Sequence, residues 1–267
     1  MLHKGISLLL APLLLLQGLQ VRRTTPRLAE PKGERMGQTG DNPSLSVLIL
    51  GDSAALGVGV DNQQDALLGQ VIHHLKPFGE LSFSLFAKTG ATTASTLQTL
   101  EKNLHGKHPI LSQAHFDIII TSLGVNDVTS SISCDTWLDQ QEQLFKLLTQ
   151  RYSPTHILVT AVPPLGLFPA LPNPLRWILG QRATRFNQAL QQLLLILGQQ
   201  TGKPGFGQLN HPTRFSLINL PLDKPSSETS MLAFMRQVMA VDGFHPGPQI
   251  YTAWAKRITE EIKRDNG

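Results

Sequence analysis

Short, unbroken apolar runs recur along this chain, each ending in turn residues and separated by stretches of helical period. This alternation restricts the folds open to the chain more than any other feature. The runs cover residues 46–50, 81–87, 116–123, 156–162 and 215–220. Continuous apolar runs of this length mark strands buried on both faces. Between them lie helix-period segments at residues 63–75, 91–104, 135–151 and 181–200, and residues 248–263 close the chain as a further helix. In the longest, Phe186, Leu190, Leu193 and Leu197 share one 3.6-residue face. Strands separated by helices predict an α/β fold with a parallel sheet of about five strands, covered on both faces by right-handed crossovers. In such sheets ligands bind at the carboxyl ends of the strands, so the polar residues just after each strand become the candidates for function.

The chain has 267 residues, of which 41% are hydrophobic and 16% charged, enough apolar side chain for a sizeable core. Nothing between residues 45 and 267 has the composition of a linker, so this stretch reads as one domain. The net charge of +4 invites a nucleic-acid reading, but residues 1–44 hold 6 Lys/Arg against 3 Asp/Glu while residues 45–267 hold 17 against 16. The domain is nearly neutral and lacks the basic stripe that phosphate-backbone binding requires, so nucleic acid is not expected as a partner. His3 and Lys4 precede an apolar run at residues 6–16, the size of a signal-peptide core and short for a spanning helix. Residues 1–20 therefore read as a signal or anchor segment and residues 21–44 as a flexible tether. The expected location is outside the cytoplasm or at a membrane through that segment, although Arg22 and Arg23 and the lack of a small-x-small site keep a cytoplasmic chain open. Cys134 is the single cysteine and closes no internal disulfide.

After the first run comes Gly51-Asp52-Ser53, which puts a hydroxyl at the sheet edge at the start of a helical stretch. Ser53 is then a nucleophile, a helix N-cap, or part of a glycine-rich phosphate loop. The last lacks the Gly-Lys-Ser/Thr ending of a P-loop, and Gly57-x-Gly59 lacks the third glycine of a dinucleotide fingerprint. After the second run stands Gly90, after the third Gly124-Val125-Asn126-Asp127, and before the last helix Asp242-Gly243-Phe244-His245. Hydrolysis by a serine needs a base, a carboxylate to fix the tautomer of that base, and donors for the oxyanion, and these segments hold one of each. Singly, Gly90 reads as a turn, Asn126 as an Asx-turn and the last segment as a loop.

These blocks, Gly51-Asp52-Ser53 with Gly57, then Gly90, then Gly124-x-Asn126-Asp127, then Asp242-x-x-His245, resemble in order those of the SGNH (GDSL) hydrolase family, and the resemblance covers residues 45–267. It implies a three-layer α/β/α domain and serine esterase or lipase chemistry without a metal or other cofactor. By the same resemblance, Ser53 is the nucleophile, His245 the base and Asp242 its partner, with Ser53, Gly90 and Asn126 as the oxyanion hole. Asp52 and Asp127 are expected to cap local turns. The first block departs from the family at Ala54-Ala55, which leaves the substrate open. His73-His74 and His105-x-x-His108 lack an acidic third ligand, so no metal site is expected.

The proline-stiffened stretch after the fourth run carries Leu167, Phe168, Leu171 and Trp177, more apolar side chain than a solvated loop requires. It reads as an acyl-binding wall or as packing onto the following helix. The expected substrate is a small-molecule or lipid ester of short-to-medium acyl chain. A carbohydrate O-deacetylase and a non-catalytic binding domain are the alternatives.

Overall fold

The computed structural model describes residues 10–103, 106, 108–200, 212–222 and 228–264. In chain order they form α1 (Ala11–Thr24), β1 (Met36–Gln38), β2 (Leu45–Gly51), α2 (Ser53–Leu56), α3 (Leu67–Leu75), β3 (Leu81–Ala87), α4 (Thr93–Lys102), β4 (Ile118–Ser122), α5 (Val125–Thr129), α6 (Cys134–Tyr152), β5 (His156–Thr160), α7 (Leu175–Gln200), β6 (Arg214–Ile218), α8 (Glu228–Val238) and α9 (Pro248–Lys263). Each of the five apolar runs overlaps a strand, and these five are parallel in the order β3-β2-β4-β5-β6. Side-chain alternation splits the strands between two cores. Leu48, Leu50, Ile119, Ile157 and Val159 pack with Leu97 of α4, Phe145 of α6 and Leu190 of α7. Val47, Ile49, Ile118, Ile120 and Leu158 pack on the other face with Val71 of α3 and Trp254 and Ile258 of α9. The result is the expected three-layer α/β/α arrangement. Fully burying one such side chain stabilises the fold by about 1.5–3 kcal/mol, so the two faces anchor the sheet from both sides.

The amino edge of the sheet is held by one carboxylate. Asp117, just before β4, accepts from the Ser46 backbone N–H and hydroxyl at 2.7 and 2.6 Å and lies 2.9 Å from His115 Nε2. Its own carbonyl accepts from the Thr155 N–H and hydroxyl, so β2, β4 and β5 are tied at their starts. Burial works to raise the Asp117 carboxyl, but the hydrogen bonds from Ser46 and His115 outweigh it and hold the group below its ordinary range.

Two expectations are corrected. Residues 21–44 are not a free tether: β1 pairs antiparallel with Ser82–Ser84 of β3, giving a sixth strand, Lys32 bridges Asn62, and the Ser44 N–H donates to the Glu80 carbonyl. The physical reason is the outer edge of β3, whose unpaired N–H and C=O groups would otherwise face water, and Met36-Gly37-Gln38 covers it without any apolar run to announce it. Nor does residue 21 begin a tether, because α1 continues to Thr24. Its Gln17 side chain donates to the Asn173 carbonyl at 2.7 Å and accepts from the Leu175 N–H at 3.1 Å. Residues 1–9 of the apolar segment, and His105, lie outside the described residues. Among the described residues no helix is long and apolar enough to cross a membrane.

Candidate active site

β2 ends at Gly51, where a Cβ would lie 2.3 Å from the Ser122 carbonyl oxygen and 2.7 Å from the Ala55 Cβ, so only glycine allows the chain to turn this close to β4. The next residue, Asp52, donates its N–H to the Ser122 carbonyl, and its Oδ1 accepts from the Ala54 N–H at 3.0 Å, capping α2. The cap is therefore Asp52. Ser53 is released from that task, and its Oγ lies 2.9 Å from Nε2 of His245. His245 Nδ1 is 2.5 Å from Asp242 Oδ2, and Asp242 Oδ1 accepts from the N–H groups of Phe244 and His245 at 2.9 Å each. Burial works to raise the Asp242 carboxyl, but the His245 ring and these two N–H donors outweigh it and hold the group below the usual carboxylate range. A charged Asp242 selects the tautomer with hydrogen on Nδ1 and leaves Nε2 as the acceptor of the Ser53 proton. The loop is itself fixed, since the Ala240 N–H donates to the His245 carbonyl and the Ala170 N–H to the Gly243 carbonyl.

The carboxyl of Asp52 is almost completely buried, and burial pushes it up to about 6 against the opposing pull of the Ala54 N–H. Asn126, on α5, places its Nδ2 2.9 Å from the Ala91 carbonyl and 3.4 Å from Asp52 Oδ2. It thus joins the turn after β3 to the turn after β2 and is no local Asx-turn. Asp127 likewise acts at long range, where a local cap was expected. It accepts from the Thr93 N–H and hydroxyl at the start of α4, and Thr93 Oγ1 accepts from Trp137 Nε1 and Gln141 Nε2. Gly90 adopts φ +77°, and a Cβ there would meet no atom within 4 Å, so its backbone stays open to an approaching group.

Beside Ser53 and His245 opens a narrow cleft with a cavity volume of about 50 Å³. Its walls are almost wholly apolar, and of the four residues expected to form them only Phe168 does so, stacked edge-on to Phe244 with ring centroids 5.4 Å apart. Leu171 is buried in the core, Leu167 packs against that core, and Trp177 is 43% exposed on α7. Packing onto the helix prevails for Leu167 and Leu171 because Asn187 of α7 clamps the start of the stretch, donating to the Val162 carbonyl and accepting from its N–H, both at 2.8 Å. Leu220 and Leu222 beyond β6, Met235 of α8 and Met239 complete the wall and were not anticipated. Met231, Met235 and Val238 stand at helical spacing and would have signalled α8.

Solved structures share this fold. A carbohydrate esterase family 2 enzyme with a carbohydrate-binding domain from Corynascus thermopiles (Myceliophthora fergusii) is 14% identical, with a TM-score of 0.58 over 84% of this chain and 67% of that one. A member of the lipolytic protein G-D-S-L family from Veillonella parvula is 11% identical, with a TM-score of 0.58 over 83% of this chain and 100% of that one. The psychrotrophic esterase EstA from Pseudoalteromonas sp. is 16% identical, with a TM-score of 0.51 over 82% and 97%. No curated protein matches significantly. Residues 49–196 match the GDSL-like Lipase/Acylhydrolase family, and the chain belongs to that family as a serine ester hydrolase.

Proposed function

We propose that Ser53, His245 and Asp242 form the catalytic triad of an esterase acting on carboxylic esters of short-to-medium acyl chain. Ser53 attacks the carbonyl carbon, His245 takes the hydroxyl proton and returns it to the leaving alkoxide, and Asp242 holds the imidazole and balances its charge when protonated. Water then repeats the sequence on the acyl-enzyme, restoring Ser53 and releasing the acid. The oxyanion donors are the N–H groups of Ser53 and Gly90 and the side-chain amide of Asn126. Of the two Asn126 hydrogens one is used on Ala91, and the contact of the other at 3.4 Å is weak enough to be exchanged for the oxyanion.

The observation that carries the acyl preference is the apolar cleft that begins at Ser53 and His245. A pocket for a sugar would present hydrogen-bonding side chains along its walls. Each methylene buried there contributes at most about 0.8 kcal/mol, so kcat/KM should rise by up to about fourfold per carbon until the cleft is full. Nitrophenyl esters from acetate to dodecanoate, hydrolysed by the wild type and by Ser53→Ala, provide the test. Activity undiminished in Ser53→Ala would falsify the nucleophile, and a wild-type profile that peaks at acetate would turn the reading to the deacetylase.

A further inference from the structure

The cleft is lined mostly by apolar side chains, and two of its lining residues carry buried polar atoms that are out of balance. Thr160, at the end of β5, is 4% exposed and Trp254, on α9, is 1% exposed, and both line the cleft. Among the described residues, neither Thr160 Oγ1 nor Trp254 Nε1 has a hydrogen-bond partner. Their common location follows from the fold. Leu158 packs in the core that contains Trp254, and the two-residue period of a strand turns Thr160 to that same face. Ile250 also lines the cleft, and Trp254 is four residues further along α9, hence on the same side of the helix. Ser122 shares the lining as well: Thr121 is in register with Val159, so Ser122 and Thr160 come next, about 5 Å apart on adjacent strands.

A buried N–H or O–H without a partner costs about 1–3 kcal/mol, and an acyl chain made only of methylenes leaves both atoms in that state. The indole offers a donor alone, whereas the threonine hydroxyl both donates and accepts. A ligand hydroxyl matches the pair, accepting from Trp254 and donating to Thr160. We propose that the acyl cleft is built for acyl chains that carry a hydroxyl group, received between Thr160 Oγ1 and Trp254 Nε1. The inference rests on the ester-hydrolase reading above. Thr160 is two strands from β2, roughly 10 Å along the sheet edge, so the hydroxyl belongs part-way down a medium chain, away from the carbonyl.

The test is a positional series of nitrophenyl hexanoates and octanoates, each with one hydroxyl at successive carbons, against the unsubstituted esters. In a plain apolar pocket every hydroxyl lowers kcat/KM, by about tenfold or more. Here one position should instead equal or exceed the unsubstituted ester, and in Thr160→Val the ratio of that hydroxylated ester to the plain one should fall about tenfold. Trp254→Phe should lower the same ratio, and Thr160→Val, nearly isosteric at a single side chain, keeps the test open if the tryptophan variant does not fold. Ser53-dependent hydrolysis of plain esters with a penalty at every hydroxyl position overturns this inference and leaves the parent reading standing. Absence of Ser53-dependent hydrolysis of any ester overturns both.

Discussion

Asp117 and Asp52 sit at opposite edges of the same sheet, and their carboxyls are shifted in opposite directions. At the amino edge, Asp117 collects the Ser46 N–H, the Ser46 hydroxyl and His115, and is held low. At the carboxyl edge, Asp52 is buried with one good backbone donor and a 3.4 Å contact to Asn126, and is pushed up to about 6. Residue type is the same, so environment alone decides. The difference teaches a division of labour within one fold. At the strand starts polar groups are spent on tying β2, β4 and β5 together, while near the strand ends the second Asn126 hydrogen makes only a 3.4 Å contact, and Thr160 Oγ1 and Trp254 Nε1 have no partner among the described residues.

If that division holds, substitutions at the carboxyl edge should reduce turnover more than stability. The largest effect belongs to Asp242→Asn, which removes the charge that fixes the His245 tautomer. It should lower kcat by about a thousand- to ten-thousandfold while the thermal unfolding midpoint stays close to wild type. A variant that melts far earlier and retains specific activity in its folded fraction would place Asp242 on the stability side. Asn126→Ala comes next, with a loss of about a hundred- to a thousandfold in kcat and little change in KM, as expected for a donor engaged chiefly in the transition state. A rise in KM alone would remove Asn126 from the oxyanion site.

The two edges also differ in how far they could be read from the sequence. The five parallel strands were legible because buried strands are continuous apolar runs, and Ser53, Asp242 and His245, proposed above as the triad, stood out because each follows a strand or precedes the last helix. β1 was not, since Met36-Gly37-Gln38 has no apolar pattern and pairs only because β3 presents a free edge. The cleft wall was mostly misread for a related reason. Leu167 and Leu171 are as apolar as Leu220 and Met235, and only the docking of residues 163–174 onto α7 and onto the loop that bears Asp242 decides which pair meets the core and which the cleft. Asp127 was read as a local cap because its true partner, Thr93, lies 34 positions away. Periodicity and strand-end position are local signals, whereas pocket walls are assembled from segments distant in the chain.

Asp117→Asn probes the amino edge. It replaces a carboxylate that accepts two hydrogen bonds from Ser46 and should destabilise the protein by about 3 kcal/mol. In a domain of this size that lowers the unfolding midpoint by roughly 6–12 °C, with kcat at assay temperature unchanged. Because the wild-type carboxyl is held low, its contribution is present above the ordinary carboxylate pKa and is lost as pH falls through the folded value, so the gap between wild type and variant should narrow in acid. A loss of kcat without a change in midpoint would reverse the roles assigned to the two edges.

The smallest effect is the most direct contrast. With a folded value of about 6 against 3.8 for the free group, Asp52 keeps its proton in the folded protein over a range where the unfolded chain has released it. The contribution of this residue to stability is therefore complete below about pH 4 and declines as pH rises through 6, the reverse of Asp117. Asp52→Asn keeps an oxygen for the Ala54 N–H and removes the ionisation. Relative to wild type, the variant should gain about 2 kcal/mol on going from pH 4 to pH 7, whatever its absolute stability. Thermal or urea unfolding of both proteins at those two pH values measures the difference directly. A difference that stays constant with pH, or that moves in the same direction as for Asp117→Asn, would mean that Asp52 is stabilised as an anion in the fold, and the contrast between the edges would then reduce to Ser53 and its histidine alone.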